Sequence, residues 1–256
     1  MVSNQPGTRD SMFVFRRQCF AEIGTRLILC TALLFLLVFS ERNLRGADPS
    51  AIALKKGDRI VFLGDSITQA GAGSKGFITL IKQELDRRAR NLGIEIIGAG
   101  ISGNKVPDLQ KRVDQDVIAK KPTIVFIYIG INDVWHGEKD PARGTSKDKF
   151  ETGLKEVIKK ITSGGAKAIL CTPSVIGEKH DGSNKLDGKL DEYAEISRSV
   201  AKECKVLLCD LRKEFVQQLK EKNPANKDRG ILTSDSVHLN ESGNRLVAET
   251  MLRLLN

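Results

Sequence analysis

TIVFIYIGIND, Thr123 to Asp133, is the stretch that decides the fold. From Thr123 to Ile129 it is apolar without alternation, the pattern of a strand buried on both faces. Such a strand needs helices above and below it. It ends in Gly130-Ile131-Asn132-Asp133, a polar turn at the carboxyl end, where open parallel sheets bind their ligands.

Working outward, four further runs read as strands: Arg59 to Leu63, Ile94 to Ile97, Ala166 to Cys171 and Val206 to Cys209. Helical periodicity lies between them. Phe77, Leu80, Ile81, Leu85 and Leu92 share one face of a helix over about 76–92, and others are expected near 107–120, 149–163 and 190–203. Gly164-Gly165 closes the third of these. Two more helices complete the chain, the last over about 242–254. Strand–helix alternation through five repeats predicts an α/β, three-layer sandwich built on a five-stranded parallel sheet. The long irregular stretches, 135–147 and 172–189, fall at strand ends and are expected to rim a pocket.

One segment argues for a different protein. EIIGAGISGN, Glu95 to Asn104, contains a literal G-x-G-x-x-G where a strand should hand over to a helix, the mark of a dinucleotide-binding turn. Two features count against that reading. Pro107 falls inside the first turns of the helix that the fingerprint would open, and no acid stands about 20 residues further on at a strand end. A second accidental match, Gly71 to Gly76, illustrates how weak the pattern is in a glycine-rich chain.

The chain has 256 residues, and its first 47 are read apart from the rest. Leu27 to Phe39 is a 13-residue apolar run, interrupted only by Thr31 and preceded by Arg16, Arg17 and Arg26. It is short for a stable span, which needs about 20 residues. Residues 1–47 are therefore expected to be an export signal or an uncleaved membrane anchor with a short linker. Residues 48–256 are expected to form one domain, exported to the periplasm or beyond. The net charge of +9 is spread through helix faces, and no basic block is interleaved with aromatics, so nucleic acid is not an expected partner. Membrane contact is expected only through the N-terminal segment. Cys171, Cys204 and Cys209 lie in or beside apolar strands without framework spacing and read as buried thiols.

Chemistry should be sought at the strand ends. Strand one ends in Gly64-Asp65-Ser66, strand two in Gly100-Ile101-Ser102-Gly103-Asn104, and strand three in Gly130-Ile131-Asn132-Asp133. A serine becomes a nucleophile when an imidazole takes its proton and a carboxylate fixes the imidazole's tautomer. The chain has three histidines. His136 and His180 read as rim or solvated residues. His238 lies three positions after Asp235, a spacing that lets the carboxylate turn back onto Nδ1 and leaves Nε2 free. The catalytic candidates are thus Ser66, Asp235 and His238. An oxyanion needs preorganised donors, and the candidates are the Ser66 N–H, the Gly103 N–H and the Asn132 amide.

These blocks resemble those of the SGNH, or GDSL-type, hydrolase family, whose name residues match here as Ser66, Gly103, Asn132 and His238, with Asp235 as the triad acid. The resemblance covers residues 58–255. It implies a flavodoxin-like sheet and ester hydrolysis through an acyl-enzyme, without metal or other cofactor. Lys105 departs from the small hydroxyl residue often found after the second block, which bears on substrate preference rather than activity. Asp65, Asn104, Asp133, Trp135 and His136 are candidates for a substrate rim, although Asp65 and Asp133 read better as loop-holding carboxyls. Glu138, Lys139, Asp140, Arg143, Lys179, His180 and Asp181 extend a mostly polar rim. The expected substrate is a small-molecule or carbohydrate ester, with short acyl groups such as acetyl favoured. The alternatives are a lysophospholipase or thioesterase of the same family, and a catalytically inactive carbohydrate-binding relative.

Overall fold

Strand β3 (Ile124–Tyr128) occupies the middle of the sheet, and all five of its residues are buried. In the computed structural model, which describes residues 51–256 together with Met1, the sheet order is β2-β1-β3-β4-β5 and every pairing is parallel. The other strands are β1 (Arg59–Gly64), β2 (Glu95–Gly100), β4 (Lys167–Cys171) and β5 (Leu207–Cys209). The expected five-stranded α/β sandwich is therefore the fold. The predicted leader, residues 1–47 with its apolar run and cysteines, lies outside the described residues. Among the described residues no helix is long and apolar enough to cross a membrane.

Eight helices accompany the strands among the described residues: α1 (Ser66–Gly71), α2 (Phe77–Arg88), α3 (Val106–Asp116), α4 (Ile131–Trp135), α5 (Lys147–Ser163), α6 (Asp187–Glu203), α7 (Leu211–Lys222) and α8 (Glu241–Leu252). Helices α3, α5 and α6 pack side by side in one layer, and α2, α8 and α7 in another. Large apolar side chains fill the space between helices and sheet. Phe62 of β1 stacks on Phe126 of β3 at 5.1 Å and meets Phe77 of α2 edge-on at 6.0 Å.

The first crossover carries the chain from β1 outward to the edge strand β2, and the next returns it past β1 to β3. The direction of winding reverses there. Loops leaving the carboxyl ends of β1 and β3 diverge to opposite faces, and a crevice opens between them. Ser66 follows β1 and Asn132 follows β3.

The structure differs from the sequence reading at three places that matter here. Strand β2 runs to Gly100 rather than stopping at Ile97, because Gly98, Ala99 and Gly100 pair with Phe62, Leu63 and Gly64 of β1. The first two glycines of the fingerprint, Gly98 and Gly100, are thus strand, the third, Gly103, lies in the turn that follows, and the helix waits until Val106. Helix α1 begins at Ser66 itself, and α4 begins at Ile131 inside the loop after β3. Helices of six and five residues are too short to carry a periodic signal. The helix near 76–92 closes at Arg88 and continues as a 3₁₀ turn over Arg90–Leu92, and the one near 107–120 likewise closes at Asp116.

Cys171, Cys204 and Cys209 are free thiols, with Cys171 and Cys209 buried opposite one another on β4 and β5.

Candidate active site

Asp65 places Ser66. It is the N-cap of α1, and its carboxylate accepts the Ile67 amide at 2.9 Å, which starts the helix at the serine. Among the described residues, neither the Ser66 N–H nor the Gly103 N–H is taken up in a hydrogen bond. Both remain available to an incoming oxyanion.

The loop after β2 sits hard against α1. A Cβ at Gly100 would lie 2.1 Å from the Gln69 amide nitrogen, so only glycine allows this approach of strand and helix. The Gln69 side chain accepts the Ser102 amide at 2.9 Å. Gly103 has φ +77°, the left-handed region in which glycine carries no penalty. Its requirement for glycine is conformational, since a Cβ there would meet no neighbouring atom within 4 Å.

Asn132, 3 % exposed, is the second residue of α4. Its Nδ2 donates to the Asn104 carbonyl at 3.0 Å, which occupies one of its two amide hydrogens. The short helix is anchored below by Asp133, fully buried, which accepts the Val106 amide at 3.1 Å.

His238 arrives from outside the sheet. Thr233 and Leu239 pair as an antiparallel bridge, and the Ser234 amide donates to the His238 carbonyl at 2.8 Å, closing a tight loop over residues 233–239. Within it Asp235 Oδ1 accepts the amides of Val237 (3.1 Å) and His238 (2.7 Å). Its Oδ2 meets His238 Nδ1 at 2.7 Å, and His238 Nε2 reaches Ser66 Oγ at 2.9 Å. Ser236 takes φ +81°, the strained turn that lets the carboxylate fold back on its own chain. The Ser236 hydroxyl donates to Asp228 at 2.6 Å, and its carbonyl accepts the Gly177 amide at 2.8 Å. Burial alone would raise the Asp235 pKa. The His238 ring and the two amides outweigh it, so the carboxyl lies below its ordinary value and stays ionised.

Two buried acids lie under this arrangement. Burial pushes Asp65 up to about 7, helped by the neighbouring charge of Asp133 and opposed by the Ile67 amide. Burial likewise pushes Asp133 to about 6, partly offset by the Thr145 hydroxyl and the Val106 amide. Of the two readings of Asp65 and Asp133, burial favours loop-holding carboxyls and removes them from the rim. They are 2 % and 0 % exposed, and they hold loop starts instead of facing substrate. Asn104 is partly exposed; its side-chain oxygen accepts from Arg112 and its carbonyl from Asn132.

Trp135 remains on the rim, 37 % exposed. His136 stands beside it, its pKa lowered by partial burial and by Lys105 and Arg143. Lys105, half-buried, reaches across to donate to the Arg143 carbonyl at 2.7 Å. Glu138 and Lys179 come together along a groove of about 290 Å³ that also touches Ser236 of the His238 loop. Lys139 and Asp140 are exposed beyond them. His180 and Asp181 do not join the rim. His180 bonds the Asn223 carbonyl at 2.8 Å, and Asp181 caps its own turn at Ser183.

One buried residue escaped the sequence reading. Glu178, 0 % exposed, accepts the amides of Ile231 and Leu232 at 2.7 Å, and both the amide and the hydroxyl of Thr233. It fastens the segment that leads into the His238 loop. A glutamate in a lysine-rich loop gives no such signal in sequence, because its four donors come from residues more than 50 positions away.

The fold and the site define an esterase of the α/β class with a serine at the carboxyl edge of its sheet, and residues 62–246 match the GDSL-like lipase/acylhydrolase family. The chain belongs to that family and is a carboxylic ester hydrolase. It is similar to the crystal structure of an acetyl xylan esterase, AlAXEase, with 47 % identity and a TM-score of 0.73 over 76 % of this chain and 98 % of that one. It is 32 % identical to an acetylxylan esterase of Geobacillus stearothermophilus, over 77 % of this chain and 93 % of the relative. A further relative, the uncharacterized lipoprotein YqeF of Bacillus subtilis (strain 168), is 26 % identical over 85 % of this chain and 94 % of its own.

Proposed function

We propose that this protein removes short acyl groups, acetyl above all, from carbohydrate through a serine acyl-enzyme. The observation that carries the mechanism is the unbroken line of hydrogen bonds from Ser66 Oγ through both nitrogens of His238 to Asp235. Ser66 Oγ attacks the ester carbonyl while His238 Nε2 takes its proton, and Asp235 holds the ring's tautomer and steadies the imidazolium. The carbonyl oxygen, now an anion, is met by the Ser66 N–H, the Gly103 N–H and the free amide hydrogen of Asn132. His238 returns the proton to the sugar hydroxyl as the C–O bond breaks. It then takes a proton from water, whose attack releases the acid and restores Ser66.

Two features support the substrate class. Relatives named acetylxylan esterases are 32 % and 47 % identical over most of the chain. The large apolar side chains exposed between residues 51 and 256 are Ile101 and Trp135, one on each loop that supplies an oxyanion donor. A single indole and a single isoleucine suit the apolar face of a sugar ring and a short acyl group, whereas a long chain needs a continuous apolar wall. Export, by a cleaved signal or a retained anchor in residues 1–47, is supported by the arginine-flanked apolar run and by a relative named as a lipoprotein.

A fluorophosphonate probe combined with an ester panel tests the proposal. Labelling should fall on Ser66 and vanish in Ser66→Ala, and acetylated xylo-oligosaccharides should be hydrolysed faster than palmitoyl esters. Labelling that survives Ser66→Ala would remove the mechanism, and a preference for palmitoyl esters would remove the substrate class.

A further inference from the structure

Arg112 on α3 is not a member of the catalytic constellation, yet its side chain is only 12 % exposed and lies directly behind it. Its Nη2 donates to the Gly64 carbonyl at 2.7 Å, one residue before Asp65 and two before Ser66. Its Nη1 donates to the Ala99 carbonyl at 3.0 Å, at the end of β2. Its Nε donates to Asn104 Oδ1 at 2.7 Å, one residue after Gly103. Asp116, a turn along α3, balances the charge at 2.9 Å from Nη1. One planar group is thus bonded to the main chain where β1 and β2 end, and to the loop that follows.

These bonds continue into the candidate oxyanion hole. Asn104, gripped by Arg112 through its side chain, offers its carbonyl to Asn132 Nδ2 at 3.0 Å. Gly64, gripped through its carbonyl, also accepts the Ile101 amide at 3.2 Å. The carriers of all three candidate donors therefore lie one or two bonded steps from the same guanidinium. Among the described residues no backbone hydrogen bond joins Ser66, Gly103 and Asn132 to one another, since the loop after Gly100 has left the sheet and α4 begins on the far side of β1.

We propose that Arg112 is the positioning residue of the oxyanion hole, setting the relative placement of the Ser66 N–H, the Gly103 N–H and the Asn132 amide; the proposal rests on the serine-esterase reading above. The fork geometry is essential to the argument. A guanidinium reaches three acceptors in one plane with fixed angles, which a lysine ammonium on a flexible stem cannot do. Charge alone is not what the site requires of this residue. Arg112 touches neither substrate nor nucleophile, so its effect must appear in the transition state, where the donors have to converge, and not in the ground-state complex.

The test measures kcat and KM on an aryl acetate for Arg112→Lys, Arg112→Ala and Asn104→Ala, alone and combined with Asn132→Ala. Displacing donors by about an ångström predicts a fall in kcat of roughly ten- to a hundredfold for either Arg112 variant, with KM little changed. Added guanidinium ion should restore part of the kcat of Arg112→Ala, and methylammonium should not. The loss in Arg112→Ala/Asn132→Ala should be smaller than the product of the single losses, because both act on one hole. Asn104→Ala, which removes an acceptor without disturbing the helix, should lower kcat in the same direction and keeps the test decisive should Arg112→Ala not fold. A full kcat in Arg112→Lys overturns the proposal, as does a strictly multiplicative double variant or a loss that tracks only the fraction of unfolded protein. Failure of the underlying esterase reading is distinct: the parent enzyme itself would then show no Ser66-dependent turnover.

Discussion

Asn132 donates one amide hydrogen to the Asn104 carbonyl, 3.0 Å away and 28 residues earlier in the chain. The bond fixes the plane of the amide and leaves a single hydrogen for the proposed oxyanion role. Replacing Asn132 with alanine is expected to lower kcat by about a hundred- to a thousandfold, the usual cost of one lost oxyanion donor. KM should move far less. Steady-state kinetics on an acetyl ester checks this, and an unchanged kcat would take Asn132 out of the role.

Asp65 links stability to pH. Its carboxyl titrates near 7 in the folded protein against an ordinary 3.8, so between those values the native state holds a proton that the unfolded chain has lost. Stability must then fall as pH rises from about 4 to about 7, by a few kcal/mol in order of magnitude, and level off above. Asp133 acts in the same direction up to about 6. Asp65→Asn keeps an equally good helix cap and removes the titration. Urea unfolding from pH 4 to 8 should give a flatter profile for the variant and greater stability than the parent at pH 8. A variant that loses stability with pH as steeply as the parent would contradict the assignment.

Glu178 is the fastening of the His238 loop. Alanine there leaves three main-chain amides and one hydroxyl without their acceptor in a buried place. Each orphaned donor costs about 1–3 kcal/mol, so relaxation included, the domain should lose at least about 3 kcal/mol. At about 2–4 °C per kcal/mol for a domain of this size, Tm should drop by roughly 6–12 °C. Melting followed by circular dichroism reads this directly, and a Tm within a degree of the parent would show the clamp to be dispensable.

If the substrate is an acetylated sugar as proposed, Trp135 is expected to separate sugar recognition from chemistry. It is exposed one turn beyond Asn132 but supplies nothing to the reacting atoms. Trp135→Ala is expected to raise KM for acetylated oligosaccharides about fivefold, the worth of roughly 1 kcal/mol of stacking, while leaving an aryl acetate unaffected. Equal loss on both substrates would place the indole in the machinery instead.

The sheet was readable because its central strands announce themselves: an unalternated run such as Thr123 to Ile129 has no other comfortable home. The candidate nucleophile, base and donors were readable because rare residues stand at strand ends, with three histidines limiting the search for a base. Burial was the hidden quantity. Asp65 and Asp133 could be read as loop supports from their place after strands, but that they are 2 % and 0 % exposed, with raised pKa values, shows only in the folded packing. Glu178 and Arg112 were illegible for a related reason. Their partners are main-chain groups, which carry no mark of identity in a sequence.

The separation of 172 positions between Ser66 and His238 also orders events in time. Synthesis at about 5–20 residues per second puts roughly 10 to 30 s between the appearance of the candidate nucleophile and that of its candidate base. A growing chain can complete β1, β2 and β3, and with them the candidate donors, while its serine still lacks a proton acceptor. On the proposed mechanism such a chain would lack the proton acceptor that activates its serine. On the proposed mechanism, hydrolytic competence arrives only when the His238 loop closes over the sheet, so the onset of turnover is expected to report that closure.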